Sequence, residues 1–303
     1  MSAPAVSVVI PAWNAAAFIE KTLDSVRAQS YTDYEIVVTD DGSSDDTKGV
    51  VDRWLALHGL RGRCLRQPNG KIAAARNTAM RAAQGAYIAL LDHDDLWYPE
   101  KLAKVMAVFK ARPDVDLVGH HINVTKDGRH VETLRKGPAV PRMYERLLLR
   151  GNALAPSATV FKRDKALSIG GFRENPEYNT VEDYDFWMRL SRVARYHFLD
   201  ETLAEYPIVA RSASSRVDYH YANLERLLRD HFAEHFGPRP GLSARWAMRR
   251  RLAAAYRSAA GMLVKADAPR DEQAKYMYRM IKTFPFDPKN AARFAFWAVC
   301  GRR

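Results

Sequence analysis

The amino-acid sequence predicts an α/β fold, in which a mostly parallel sheet is flanked by helices and followed by a helical C-terminal extension. Three observations support this prediction. Apolar strand-like runs alternate with segments of helical period over the first hundred residues, polar residues follow the ends of those runs, and only helical patterns remain after about residue 221. Strands that alternate with helices are typical of a parallel sheet with helices on both faces.

The first strand is predicted at residues 6–10, an apolar run that Pro11 ends, and the second at residues 35–39. Continuous apolar runs are expected of strands that are buried on both faces. We expect residues 1–221 to form one domain and residues 222–303 to form the extension. The other elements expected are strands near 63–66, 87–91, 115–118 and 159–162, and helices at 15–29, 47–58, 72–84, 142–150, 181–193, 222–236, 243–265 and 270–283.

The positive charge of the chain is concentrated in its last quarter. Residues 222–303 hold 17 Lys and Arg against 7 Asp and Glu, which is +10 of the net +12 of the chain. Basic residues there alternate with apolar ones, a pattern typical of a helix that lies on an anionic membrane surface. A helical subdomain packed on the body, with a solvated basic face, explains the pattern equally well. No nucleic-acid recognition motif accompanies the charge, so we do not expect nucleic acid as a partner.

Composition also bears on localisation. Cys64 and Cys300 lie too far apart to form a disulfide framework or a zinc motif, which favours a reducing compartment. The first residues lack the basic region of a signal peptide, and no run reaches the ~18 apolar residues that span a bilayer. We therefore expect a cytoplasmic protein, either free in solution or peripheral on the inner face of the cell membrane.

Polar residues follow three of the predicted strands. Ligands of parallel sheets bind outside the carboxyl ends of the strands. Mg²⁺ and Mn²⁺ prefer oxygen ligands and often use one or two protein carboxylates plus the phosphates of a substrate. The pattern therefore predicts a metal-dependent phosphate site, with a simple turn or a helix N-cap as the alternative explanation of these acids. The residues are Asn14 after the first strand, Asp40 and Asp41 after the second, and Asp92, Asp94 and Asp95 after the strand at 87–91.

Six segments resemble, in order, the motifs of family 2 glycosyltransferases of the GT-A fold. The resemblance covers about residues 5–212 and implies transfer of a sugar from a nucleotide-sugar donor to an acceptor hydroxyl, with inversion of the anomeric configuration. It also implies a divalent metal, Mn²⁺ or Mg²⁺. The segments are SVVIPAWN at 7–14, DDGS at 40–43, ARN at 75–77, DHDD at 92–95, GGF at 170–172 and EDYDFW at 182–187.

The resemblance implies roles for individual residues. Asp41 is expected to accept a hydrogen bond from the imide N–H of uracil or thymine, so the donor would be linked to UDP or dTDP. Arg76 is expected to contact the base or the diphosphate, although a solvated helix face remains the alternative. The metal would be held by Asp94 with Asp92. The full set expected at the donor is Pro11, Ala12, Asn14, Asp40, Asp41, Arg76, Asp92, His93 and Arg211.

On the acceptor side the resemblance implies that Asp183 is the general base, because the attacking hydroxyl must lose a proton. Glu182, Gly171 and Trp187 are expected to lie near the acceptor, a glycan or a lipid-linked glycan. Glu182 and Asp183 are also ordinary first-turn acids of a helix, and the two interpretations are compatible.

Two other functions remain open at the level of sequence. A metal-dependent nucleotidyltransferase also places carboxylates and a metal at a sheet edge, but residues 11–14 lack the Gly-rich phosphate loop expected of one. A non-enzymatic module that docks to a membrane or a nucleic acid through its basic helices is the third possibility. The leading prediction is an inverting glycosyltransferase of bacterial-type surface polysaccharide or glycolipid synthesis.

Overall fold

The computed structural model of the chain describes residues 3–208 and 217–300. Nine strands and eleven α-helices are found in these residues. The strands are β1 (Val6–Ala12), β2 (Tyr34–Asp40), β3 (Gly62–Arg66), β4 (Tyr87–Leu90), β5 (Leu96–Trp97), β6 (Leu117–Lys126), β7 (Arg129–Leu134), β8 (Thr159–Lys162) and β9 (Tyr196–Pro207). The helices are α1 (Ile19–Arg27), α2 (Thr47–His58), α3 (Lys71–Ala82), α4 (Lys101–Ala111), α5 (Met143–Arg150), α6 (Arg163–Ser168), α7 (Glu182–Leu190), α8 (Val217–Phe236), α9 (Leu242–Lys265), α10 (Arg270–Thr283) and α11 (Pro288–Cys300).

The described chain divides into two compact units. The first comprises residues 3–144, 153–175 and 182–208, and the second comprises 145–152, 176–181 and 217–300. Two short segments from the first 221 residues therefore group with the C-terminal helices. The boundary predicted between residues 221 and 222 falls inside α8, and the division into a catalytic domain and an extension stays a prediction.

All nine strands belong to one sheet, in the order β3-β2-β1-β4-β8-β6-β9-β5, with β7 paired to β6. The first four strands are parallel, as the alternation of strands and helices predicted. Ala12 lies opposite Asp40 in the register of β1 and β2, and Val9 lies opposite Leu90 in that of β1 and β4. The chain segments that follow β1, β2 and β4 therefore emerge at the same edge of the sheet.

The second half of the sheet is mixed. β8 runs antiparallel between β4 and β6, whereas β9 runs parallel to β6 over a long register and pairs antiparallel with β5. β5 and β9 were not predicted. The residues of β9 do not alternate between apolar and polar types, and most of them are half-buried.

Burial of apolar side chains explains why the parallel half forms. Every residue of β1 and β2 is buried, and α1 covers them with Ile19, Leu23 and Val26, each 0% exposed. Complete burial of one such side chain stabilises a fold by about 1.5–3 kcal/mol. The predicted α/β class is thus confirmed by the buried strands and their helical cover.

The second unit is helical in the residues described. Small side chains of α9, such as Ala253 and Ala259, are fully buried together with Tyr276 and Met280 of α10. Hydrogen bonds from the hydroxyl of Tyr256 to Glu225 and from that of Tyr276 to Asp218 join α9 and α10 to α8. Among the described residues, no helix combines the length and the apolar character needed to cross a bilayer.

Candidate active site

The turn after β2 is built by Asp40. Its Oδ1 accepts a hydrogen bond of 2.9 Å from the backbone N–H of Ser43, and Gly42 takes φ +72° in the same turn. A Cβ at Gly42 would lie 2.8 Å from the backbone nitrogen of Asn69, so only glycine fits without a shift. The predicted role of Asp40 at the donor is corrected accordingly: its side chain is fully buried and shapes the turn.

Asp41 is held with one carboxylate oxygen only. Its Oδ1 accepts hydrogen bonds from Nε2 of Gln67 at 2.7 Å and from the backbone N–H of Gly70 at 2.8 Å. Within the part of the chain that is described, no hydrogen bond reaches Oδ2. An oriented carboxylate with one unused oxygen is suited to accept the N–H of a ligand. Sequence reasoning missed Gln67, although it follows β3 just as Asp41 follows β2.

The end of β1 supports this turn from the other side. The carbonyl of Ala12 accepts the backbone N–H of Asp41 at 2.8 Å. Asn14 takes φ +50°, and its Oδ1 accepts hydrogen bonds from both the backbone N–H and the hydroxyl of Ser44. The side-chain oxygen of Asn14 and the carbonyl of Ala12 are thus used within the protein. Trp13, which lies between them in sequence, is 54% exposed and offers a flat aromatic surface, a feature to which the sequence analysis gave no role.

His93 is fixed by the carbonyl of Pro11. Its Nδ1 lies 3.0 Å from that oxygen, and its ring stacks on Phe18 with centroids 5.5 Å apart. A carbonyl oxygen only accepts hydrogen bonds, so Nδ1 carries the proton and Nε2 is left as an acceptor in the neutral ring. Pro11 therefore acts at the site through its backbone, by orienting His93.

Three carboxylates stand close together after β4, and their charge is poorly compensated. Burial raises the pKa of Asp94, with a further contribution from Asp92, and burial together with Asp92 and Asp94 raises the pKa of Asp95 well above its usual range. In the described residues no Lys or Arg forms a salt bridge with Asp94 or Asp95, and Oδ1 of Asp95 is buried without a hydrogen-bond partner. The helix-cap alternative is wrong, because α4 begins only after Glu100, its N-cap.

These carboxylates fit a divalent cation that is also bound by a substrate. No group of three or more His, Cys, Asp or Glu side chains in residues 3–208 and 217–300 is arranged to hold a metal ion by itself. Hard cations with one or two protein carboxylates complete their coordination with phosphate oxygens and water. Asp94 and Asp95 have no salt-bridge partner among the described Lys and Arg residues, and their negative charge is what such an ion would neutralise.

Arg76 links the carboxylates after β4 to the first turn of α7. Its Nη2 donates to Oδ1 of Asp92 at 2.8 Å, and its Nη1 donates to Oε1 of Glu182 at 2.9 Å. The side chain of Arg76 is only 2% exposed, so the solvated-face alternative is wrong. The predicted contact of Arg76 with the donor stays a prediction; in the structure its two terminal nitrogens donate to carboxylates of the protein.

Glu182 is therefore an internal partner of Arg76, which corrects its predicted place beside the acceptor. Burial raises the pKa of Glu182 to about 7, while the Arg76 guanidinium acts in the opposite direction and Asp183 adds to the rise. The pair fixes the start of α7, the helix that carries Asp183.

Asp183 is partly exposed, unlike its neighbours in α7. Its Oδ1 accepts the backbone N–H of Tyr184 at 2.7 Å. Lys136 lies within electrostatic reach: burial lowers the pKa of Lys136, and the carboxylate of Asp183 opposes that shift. Asp183 thus combines solvent access with a place in the first turn of α7, and a proton acceptor needs such access to its substrate.

Trp187 and Gly171 occupy structural positions. Trp187 is 0% exposed and packs against Phe161, with ring centroids 6.0 Å apart, so its predicted contact with the acceptor is corrected. Gly171 takes φ +72°, and a Cβ there would lie 2.5 Å from Oδ1 of Asn77. The turn at Gly171 is held to α3 by two hydrogen bonds between Asn77 and the backbone of Phe172, and its predicted place near the acceptor stays a prediction. The remaining predicted donor residue, Arg211, lies outside the described residues.

Comparison with known proteins supports the motifs found in the sequence. The model of the family described as "Glycosyl transferase family 2" matches residues 7–166, just over half of the chain. The uncharacterized protein y4gI of Sinorhizobium fredii is 35% identical over 77% of this chain, which spans only 26% of that relative's length. A putative teichuronic acid biosynthesis glycosyltransferase of Bacillus subtilis, TuaG, is 28% identical over 74% of this chain and 90% of its own length.

Solved structures share the fold. TarS of S. aureus in complex with UDP-GlcNAc is 20% identical, has a TM-score of 0.67, and the match covers 92% of this chain and 80% of TarS. The mannosyltransferase PcManGT of Pyrobaculum calidifontis, in complex with GDP-Man and Mn²⁺, is 21% identical with a TM-score of 0.59, over 95% of this chain and 89% of its own. At this identity the likeness shows the GT-A fold, which confirms the predicted fold.

Proposed function

The chain belongs to glycosyl transferase family 2, and on this premise we propose that it is an inverting glycosyltransferase with a UDP- or dTDP-linked sugar donor. The acceptor is a hydroxyl of a glycan or a lipid-linked glycan in the synthesis of a bacterial-type surface polysaccharide or glycolipid. The observation that carries the proposal is Asp41: one oxygen is locked by Gln67 and Gly70, and the other is left for a ligand.

The nucleotide assignment follows from the chemistry of that carboxylate. An ionised carboxylate accepts hydrogen bonds and donates none, so it selects a base edge that presents an N–H. Uracil and thymine carry an imide N–H between two carbonyls, which suits a single accepting oxygen. Trp13 has an exposed ring on which a base could stack, and the carbonyl of Ala12, the residue before it, accepts the backbone N–H of Asp41.

The proposed metal is Mn²⁺ or Mg²⁺, held by Asp94 with Asp92. When bound, such an ion stabilises the charge that develops on the diphosphate leaving group. The mannosyltransferase structure with GDP-Man and Mn²⁺ supports this proposal at the level of the fold.

Proton transfer is assigned to Asp183. The acceptor hydroxyl loses its proton as its oxygen bonds to the anomeric carbon, and a carboxylate within hydrogen-bond reach takes that proton. Arg76 and Glu182 hold the start of α7 relative to Asp92, so the base and the donor carboxylates keep a fixed separation. A single displacement of this kind inverts the anomeric configuration.

We place the reaction on the cytoplasmic side of the membrane. Cys64 is a free, buried thiol, as expected of a reducing compartment. A lipid-linked acceptor would bring the enzyme to the membrane surface, where the basic C-terminal helices would face anionic lipid.

Titration with nucleotides tests the proposal. UDP and dTDP should raise the melting temperature of the full-length protein, and MnCl₂ should increase that rise, whereas GDP and CDP should have little effect. Asp94→Ala should remove the metal-dependent part, and Asp33→Ala, at an exposed position, is the matched control. Stabilisation by GDP or CDP alone would contradict the role of Asp41, and a rise independent of metal would contradict that of Asp94.

A further inference from the structure

Three large apolar side chains stand on the surface of the C-terminal unit. Leu242 is 83% exposed, Trp246 is 51% exposed and Phe286 is 73% exposed. Leu242 and Trp246 are four residues apart in α9 and therefore share a face of that helix. The rings of Trp246 and Phe286 stack with centroids 5.7 Å apart and an angle of 18° between their planes. We call these three residues the aromatic patch.

The aromatic patch rests on a rigid base. Trp246 packs edge-on against Phe284, at 4.7 Å between centroids, and Phe284 is only 6% exposed. Nε of Arg249 donates to the carbonyl of Thr283 at 3.1 Å and so ties α9 to the C-terminal end of α10. Leu242 and Trp246 are thus presented by α9, and Phe286 is presented by the connection between α10 and α11.

The sequence on either side of the residues of the aromatic patch is rich in positive charge. No acidic residue occurs from residue 237 to residue 266. In the connection between α10 and α11 the acidic residue is Asp287, and its Oδ2 is paired with Nη1 of Arg257 at 3.1 Å. The exposed cations within four residues of a member of the patch are Arg239, Arg245, Arg249, Arg250, Lys282 and Lys289.

The combination of apolar and cationic groups selects one kind of partner. A nucleic acid would engage the cations but leave Leu242 and Phe286 in water. A second copy would bring the same positive charge against itself, in a chain whose net charge is already +12. An anionic lipid surface accepts aromatic and aliphatic side chains at the headgroup boundary and attracts Lys and Arg at the same time.

We propose that the aromatic patch is a docking surface for anionic membrane lipid, into which Leu242, Trp246 and Phe286 insert while the surrounding cations contact the headgroups. The inference deepens the proposed function, on which it rests for its purpose, since docking would hold the enzyme where a lipid-linked acceptor lies. The attraction itself depends only on the chemistry of this surface.

Vesicle sedimentation of the full-length protein tests the docking surface. Wild-type protein should bind phosphatidylcholine vesicles that contain phosphatidylglycerol and should bind vesicles of phosphatidylcholine alone much more weakly. The triple variant Leu242→Ala, Trp246→Ala, Phe286→Ala should lose about tenfold or more in partitioning, because the inserted apolar area is removed. Leu57→Ala is the matched control, since Leu57 is 79% exposed on α2 and Leu242 is 83% exposed on α9.

Other results would overturn the proposal. The proposal would be wrong if wild-type protein did not bind anionic vesicles at low salt, or if it bound vesicles without anionic lipid equally well. It would also be wrong if the triple variant bound anionic vesicles as strongly as wild type. Self-association without lipid that the triple variant abolishes would reassign the patch to a dimer. Leu242→Ser alone, which leaves the Trp246 stack in place, should weaken binding in the same direction if the triple variant proves unstable.

Nucleotide binding, measured on the same variants, separates the two proposals. Loss of vesicle binding with unchanged stabilisation by UDP or dTDP supports the docking surface. Vesicle binding by a protein that ignores every nucleotide would contradict the proposed function and leave the docking surface in place.

Discussion

Nε2 of Gln67 donates a hydrogen bond of 2.7 Å to Oδ1 of Asp41. The orientation of the amide is fixed from behind, because Oε1 of Gln67 accepts the hydroxyl of Thr78 at 2.6 Å. A carboxylate cannot donate, so the amide nitrogen must face Asp41. A side chain of α3 thus sets the direction of the carboxylate that we assign to the base of the donor.

Replacing Gln67 by Leu should therefore weaken donor binding while leaving the chemical step almost unchanged. Loss of one hydrogen bond to a charged group is worth about 1.5–3 kcal/mol, or roughly ten- to 150-fold in affinity. Steady-state kinetics should show a raised KM for the nucleotide sugar and a kcat close to wild type. Thr78→Val should give a smaller change in the same direction, and Gln84→Leu, at an exposed position, should give none. An unchanged KM in Gln67→Leu would show that Asp41 needs no support.

Asp183→Asn should lower kcat by roughly two to four orders of magnitude, the usual contribution of a positioned general base. Affinity for the nucleotide, measured by calorimetry, should stay near wild type because the donor is held elsewhere. Asp164→Asn, an exposed acid of α6, is the control. Glu182→Gln is unsuited to that purpose, since Glu182 shares the buried guanidinium of Arg76. Near-normal transfer by Asp183→Asn would place the base in another residue.

His120 should make the fold sensitive to acid. It is fully buried, its Nδ1 donates to the carbonyl of His121, and burial with the nearby Lys101 lowers its pKa to about 3. In the unfolded chain the imidazole has a pKa near 6.5, so between about pH 6.5 and pH 3 it is protonated there but neutral in the folded chain. The free energy of unfolding therefore falls as the pH drops through this range.

Between pH 7 and pH 5 this loss amounts to about 2 kcal/mol for one group. His120→Gln should remove that part of the pH dependence, measured as the difference in free energy of unfolding by urea at the two pH values. His130→Gln, at an exposed position, is the matched substitution. A pH dependence in His120→Gln equal to that of wild type would contradict the assignment.

Lys101→Met should stabilise the protein. Lys101 is 0% exposed, and its ammonium lies 3.1 Å from the centroid of the Trp97 ring, without a hydrogen-bond partner among the described residues. Burial lowers the pKa of Lys101 well below its usual value, so the unfolded chain binds its proton more tightly and stability is lost at neutral pH.

The apolar side chain of Met fills a similar volume without this penalty, so we expect a gain of about 1–3 kcal/mol in the free energy of unfolding. The gain should be at least as large at pH 6 as at pH 8, because the penalty of Lys101 grows as the pH falls towards its folded pKa, and it should be absent in Lys110→Met, which changes an exposed lysine of the same helix. A destabilised Lys101→Met would show that the contact with Trp97 outweighs the cost of burial.

The sequence predicted the parallel half of the sheet because its evidence is local. β1 and β2 are apolar along their whole length, and the motif acids follow them directly. β9 was missed because its partner β6 begins about 80 residues earlier, and pairing at that distance leaves no pattern in neighbouring residues.

The same limit applies to the site. The acids after β2 and β4 were found from their position at strand ends, whereas the true surroundings of Arg76 depend on Glu182, 106 residues away. Gln67 could have been found in the same way as Asp41, because both residues follow parallel strands and ligands bind outside the carboxyl ends of such strands. The burial of Trp187 could not be predicted from the sequence. Its position in the motif suggests that it lies near a ligand but does not indicate the direction of its side chain.

The bridge from Arg76 to Glu182 limits how this chain can be divided or recombined. The segment that matches the family, residues 7–166, contains the arginine but lacks the glutamate. A fragment that ends there would lose both the counterion Glu182 and the ring of Phe172, whose centroid lies 5.3 Å from the guanidinium carbon of Arg76. A chimaera that grafts another acceptor half onto these nucleotide motifs must therefore bring its own acid to the first turn of α7.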